Sequence, residues 1–107
     1  MGRSVPVLPT PVTSAVSQLG RDIRTARLRR RLRISLVAER ARISPPTLAR
    51  VERGDPAVSL GIYAAVLWVL GLLEPLGQLA APALDPTGAG LDEARLPTRV
   101  RTRRGAE

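Results

Sequence analysis

Between Arg33 and Gly54 the chain reads RISLVAERARISPPTLARVERG, and one break in that stretch limits what it can fold into. Among its apolar residues are Val37, Ala41, Ile43, Leu48 and Val51, with Ala38 where two helices would cross. They do not fit one continuous amphipathic helix, because the period breaks at Arg42-Ile43-Ser44 and Pro45-Pro46 follow at once. Proline has no backbone N–H, so a helix tolerates it in the first turn, where that group has no partner anyway. The pair therefore marks a start, with the Ser44 hydroxyl as N-cap. Gly54-Asp55-Pro56 is a glycine stop followed by proline. The segment reads as one helix over about 34–42, a short break, and a capped helix over 45–53.

The flanks add three helices. Leu19, Ile23 and Ala26 recur at helical spacing and predict a helix from Ser17 to about Arg31. Residues 1–16 are rich in Pro, Val, Ser and Thr and read as a flexible arm. Ser59 can cap a helix that runs to Leu70 with a broad stripe of Ile62, Tyr63, Val66, Leu67 and Leu70. That helix is apolar on nearly every side, so something must bury it. Trp68 belongs either to the domain core or to a dimer or partner interface, with the core slightly favoured. Gly71 breaks the run, and a fifth helix follows over 72–80, beginning near Glu74 because Pro75 fits only a first turn. Residues 81–90 read as a Pro/Gly loop, 91–96 as one helical turn, and the basic stretch after Pro97 as a flexible tail. A strand at Thr98–Thr102 would find a partner only in a dimer. The fold class is all-α, with the arm at 1–16, the domain at 17–80, and a linker, helical turn and tail at 81–107.

Composition narrows the function. At 107 residues there is room for one small domain and its tails. The chain has no His, Cys, Lys or Phe, so neither a disulfide framework nor a thiolate metal site is available. No metal and no cofactor are expected, and an enzyme is not expected. General acid–base chemistry would fall to carboxylates, and Asp92-Glu93 diverge on a helical turn. The longest apolar stretch, Val58 to Leu73, is interrupted by Ser59, Gly61 and Gly71 and falls short of the roughly 20 residues a membrane span needs. A soluble, cytoplasmic and nucleoid-associated protein is the expectation.

Charge is segregated. Residues 17–54 carry eleven Arg against Asp22, Glu39 and Glu52, whereas residues 55–94 carry five carboxylates and no Arg. Five more Arg lie beyond them, against Glu107 alone. A basic half of this kind is the electrostatic footprint of a polyanion partner.

Helix, short break and capped helix is the helix-turn-helix layout, whose second helix enters the DNA major groove. Side chains near the start of that helix would do the reading: Ser44, Pro45, Pro46, Thr47 and Arg50. Arg50 is the strongest base reader, because a guanidinium pairs bidentately with guanine O6 and N7. Ser44 can serve as cap and phosphate ligand together, since a helix N-terminus favours an anion. Arg33, Arg42 and Arg53 flank the motif as phosphate contacts, which position a protein without specifying sequence.

In LGRDIRTARLRRRL, VAERARISPPTLARVERGD and VLWVLGLLEPLGQLA, followed by LDEARLP and the basic tail, the chain resembles the Cro/phage-repressor (XRE) helix-turn-helix family. More narrowly it resembles the HipB-type antitoxins that accompany HipA-type kinase toxins. The resemblance implies a five-helix, lambda-repressor-like domain packed through Val37, Ala38, Ala41, Ile43, Leu48 and Val51. It implies an ion pair between Arg27 and Glu52 that ties the first helix to the third. It also implies a homodimer on a palindromic double-stranded DNA operator and, for the antitoxins, a HipA-like Ser/Thr kinase toxin as partner. Three positions depart from the family: Ile34 where Gln is common, Arg33 where Ser or Thr caps, and Arg42 where the turn usually has Gly. A lone repressor without a toxin, or an interaction module that has lost DNA readout, would carry much the same residues.

Overall fold

The computed structural model describes residues 7–95. Residues 1–6 of the expected arm, the tail after Pro97 and the Thr98–Thr102 strand lie outside them. Every regular element among the described residues is helical: α1 (Thr10–Arg29), α2 (Ile34–Ala41), α3 (Pro45–Glu52), α4 (Leu60–Leu70), α5 (Glu74–Gly77) and α6 (Pro86–Arg95), with a 3-10 turn at Pro82–Leu84. The class is all-α, as expected. The chain divides at Glu74/Pro75 into two units.

The first unit is built around α3. It packs on α1 and α2, while α2 lies against α4. Ile23, Val37, Leu48, Val51 and Val66 are fully buried at the centre, with Ala26, Ala38, Ala41, Val58, Tyr63, Leu67 and Leu70 around them. Ser44 and Ser59 cap α3 and α4, each accepting from the N–H three residues on. The caps, the prolines and the helical period place α2, α3 and α4 correctly from sequence.

Four expectations need correction. Helix α1 begins at Thr10, so the expected flexible arm is helical from that residue. Pro11 is tolerated there because it falls in the first turn. Val12, Val16 and Leu19 continue the helical period backward, and with Leu8, Pro56, Val58, Leu60 and Tyr63 they line an apolar groove of about 270 Å³. The expected loop at 81–90 holds the 3-10 turn and the start of α6. There Asp85 Oδ1 accepts from Gly88 N–H at 2.9 Å, an N-cap ahead of Pro86 that starts the helix despite its two glycines. Trp68, for which the core is the slightly favoured of two placements, is 62% exposed. The buried face of α4 follows Tyr63, Val66, Leu67 and Leu70, and one further step of about 100° carries residue 68 off it. The fifth helix is also shorter than expected, a single turn over Glu74–Gly77.

Two helix ends are closed by arginine where glycine is the usual choice. Arg31 and Arg42 take left-handed φ values of 54° and 62°. At the second, Ile43 N–H donates back to the Ala38 carbonyl at 3.0 Å, which satisfies a terminal carbonyl of α2. An L-residue pays roughly 1–2 kcal/mol for that conformation, and glycine returns part of the gain through unfolded-state entropy. Arg42→Gly is therefore expected to stabilise the fold by about 0.5–1 kcal/mol. Thermal melts check this, with Arg42→Ala as the control that keeps a Cβ and should gain nothing.

Candidate nucleic-acid interface

Ser44 stands in extended backbone before α3, and its Oγ accepts from Thr47 N–H at 3.2 Å. The two hydroxyls also share a hydrogen bond of 2.9 Å. Pro45 and Pro46 are exposed beside them, and Thr47 is half-buried. Pro45 and Pro46 have no N–H and that of Thr47 is taken, so the first turn of α3 offers an anion no free backbone donor. Any phosphate bound here must be held by side chains.

Arg50 lies one turn further along the same face as Pro46 and Thr47. Its Nε donates to Asp55 Oδ2 at 2.8 Å, and its side chain stays 43% exposed. Gly54, with φ 70°, turns the chain so that Asp55 N–H meets the Arg50 carbonyl at 3.1 Å. Asp55 Oδ1 accepts from Ala57 N–H at 2.9 Å, and Tyr63 donates its hydroxyl to the Asp55 carbonyl at 2.8 Å. Burial pushes the Tyr63 phenol up from its ordinary pKa, so it remains the donor. From sequence, Asp55 counted only as part of a helix stop. An acid five residues past an arginine, just after a glycine turn, was the available signal.

The Ala57 N–H, then the Arg50 guanidinium, and more weakly the charge of Arg53, hold the Asp55 carboxyl below its ordinary value of 3.8. A carboxylate whose pKa is lower folded than unfolded contributes stability above the unfolded value and loses it as pH falls through the folded one. Asp55→Asn should therefore flatten part of the acid limb of the stability curve below about pH 4. Urea melts across that range read it.

What orients α3 is buried. Arg27 on α1 donates from Nε to Glu52 Oε2 at 2.6 Å and from Nη2 to Oε1 at 3.0 Å, while Nη1 reaches the Leu32 carbonyl at 3.0 Å. Both side chains are under a tenth exposed. The hydrogen bond to Glu52 outweighs burial and raises the Arg27 pKa, so the guanidinium stays charged. The ion pair implied by the family resemblance is present. Arg33, Arg42 and Arg53 are exposed, the first before α2, the second after it and the third at the end of α3.

Residues 18–79 match a helix-turn-helix domain family. This chain belongs to that family. The match spans α2, the turn at Arg42–Ser44 and α3, together with the helices that bury them. Such domains bind DNA through the second helix of the motif, here α3. A search of curated proteins finds no significant match. Among the described residues no group of acidic side chains is placed to hold a metal ion, and no helix is long and apolar enough to cross a membrane.

Proposed function

We propose that this protein is a sequence-specific double-stranded DNA-binding transcriptional regulator that represses its own promoter as a homodimer. The observation that carries the reading is the open face of α3. Pro46, Thr47 and Arg50 share it, Ser44 and Pro45 stand at its start, and the helix is anchored from behind by Arg27 and Glu52. Arg50 reads a base; Thr47 and the prolines supply hydroxyl and apolar contact; Arg33, Arg42 and Arg53 neutralise phosphates. So few base readers per protomer favour two copies on a palindrome, with half-sites about one helical turn (roughly 34 Å) apart. The uncharged α4, with Trp68 exposed, offers apolar surface for that association.

Within this function, the resemblance to HipB-type antitoxins supports a second duty, holding a HipA-like Ser/Thr kinase inactive. Co-purification with a kinase encoded beside this gene would support the antitoxin role; a gene without such a neighbour would leave a lone repressor.

The test is a fluorescence-anisotropy titration against the duplex upstream of the gene, beside a scrambled duplex. Wild-type protein should prefer the native duplex, and Arg50→Ala should erase about 1–3 kcal/mol of that preference. Equal binding to both duplexes by the wild-type protein would sink the operator reading.

A further inference from the structure

Asp55 lies beyond the end of α3, yet both its side chain and its backbone are fixed. The carboxylate is held between Arg50 Nε and Ala57 N–H, at 2.8 and 2.9 Å. The carbonyl takes the hydroxyl of Tyr63, a residue 3% exposed and rooted in α4. Arg50 is thus gripped at Nε, and among the described residues nothing accepts from its Nη1 or Nη2. A guanidinium held at one edge by a carboxylate keeps its outer edge free and loses freedom to rotate. Discrimination for guanine depends on that outer edge, because O6 and N7 must meet two parallel N–H groups at once. Ordering the side chain before binding also removes an entropy cost from the complex.

We propose that Asp55, anchored by Tyr63, is a positioning residue that presents the free edge of the Arg50 guanidinium to a guanine in the major groove. The proposal rests on the reading of α3 as the DNA-reading helix. It gives the carboxylate a particular effect. Asp55 places a negative charge near DNA, which weakens binding to every sequence, and in return it holds the reader in register for one. Negative elements of this kind are a common source of specificity.

The experiment begins with a randomised duplex pool selected on the intact wild-type protein. Anisotropy then gives the ratio of affinities for the best enriched duplex and a scrambled one. Asp55→Asn should lower that ratio by about 5- to 100-fold, the worth of a bidentate guanine contact. It should leave binding to the scrambled duplex unchanged or tighter. Tyr63→Phe, which alters no charge, should lower the ratio in the same direction. Arg50→Ala combined with Asp55→Asn should discriminate no worse than Arg50→Ala alone, because a positioning residue has nothing left to position. Circular dichroism melts establish that each variant is folded at the assay temperature, and Tyr63→Phe decides the matter if Asp55→Asn is not. A ratio left unchanged by the single variants, or both duplexes bound more tightly in equal measure, overturns the positioning role. A wild-type protein that enriches no sequence overturns the proposed function and the positioning with it. That result is distinct from discrimination that survives Asp55→Asn.

Discussion

Glu52→Gln is expected to cost the fold about 3–5 kcal/mol, a large share of what a domain of this size holds in reserve. The reason lies in what remains after the change. Arg27 is buried and gives two of its nitrogens to the two carboxylate oxygens of Glu52. Glutamine has almost the same shape, but it offers one acceptor oxygen, no charge, and an amide that faces a guanidinium donor with another donor. The cation then sits buried without its counter-charge, and the Leu32 carbonyl alone cannot replace it. Denaturant unfolding of the purified variant measures the loss, and at about 4–8 °C per kcal/mol the thermal midpoint should drop steeply. Replacing both partners by apolar residues of similar volume should recover most of the stability, because desolvation of two charges offsets much of what their attraction contributes. A single variant that melts with the wild type would show that water reaches the pair.

Gly20→Ala is the second change expected to be severe. A Cβ at Gly20 would run into the backbone nitrogen of Gly54, with the Val51 carbonyl oxygen at 2.6 Å and Gly54 Cα at 2.7 Å. These are backbone atoms at the end of α3, so no rotamer change relieves the contact. The approach is mutual, since a Cβ on Gly54 would lie 2.6 Å from the Val16 carbonyl oxygen. Helix α1 would have to move away from α3, which would also stretch the Arg27–Glu52 bridge. Over-packing of this kind costs about 1–3 kcal/mol or more, and we expect the upper end. Gly71→Ala is the informative comparison. That glycine has φ 78° but open space where a Cβ would go, so it should lose only the roughly 1–2 kcal/mol of a left-handed L-residue. Urea titration of the two variants separates steric exclusion from backbone strain.

Both predictions concern the joint between α1 and α3, and only half of that joint was visible in the sequence. Glu52 was matched to Arg27 through the family resemblance; nothing in their spacing, 25 residues, points to a contact. The close approach of Gly20 and Gly54 had no sequence signal beyond two glycines. Gly54 reads as a helix stop, which it is, and its second role as the surface on which α1 rests depends on how two helices cross. The start of α1 was missed for a different reason. Pro6, Pro9 and Pro11 made the N-terminal stretch look irregular, although a proline in a first turn leaves the helix after it intact.

At the reading face the division is similar. The cap at Ser44, the prolines and the family pattern place Pro46, Thr47 and Arg50 on one face from sequence alone. What Arg50 holds was not legible, because Asp55 comes within reach only after Gly54 reverses the chain and Tyr63 fixes it. At α4 the stripe through Tyr63, Val66, Leu67 and Leu70 is legible and is the buried face, but nothing local says whether a second surface covers an apolar residue off that stripe, such as Trp68.

Signals that act within a turn or two of the chain were therefore sufficient for this protein's class, for the boundaries of α2, α3 and α4, and for the order of the motif. Caps, prolines, glycine stops and helical spacing are satisfied locally, so the residues that carry them are neighbours in sequence. The buried ion pair, the glycine joint, the grip of Asp55 on Arg50 and the exposure of Trp68 were decided by the packing of helices. Each of these depends on the distance and angle between elements, and those quantities exist only once the core around Ile23, Leu48 and Val66 has closed.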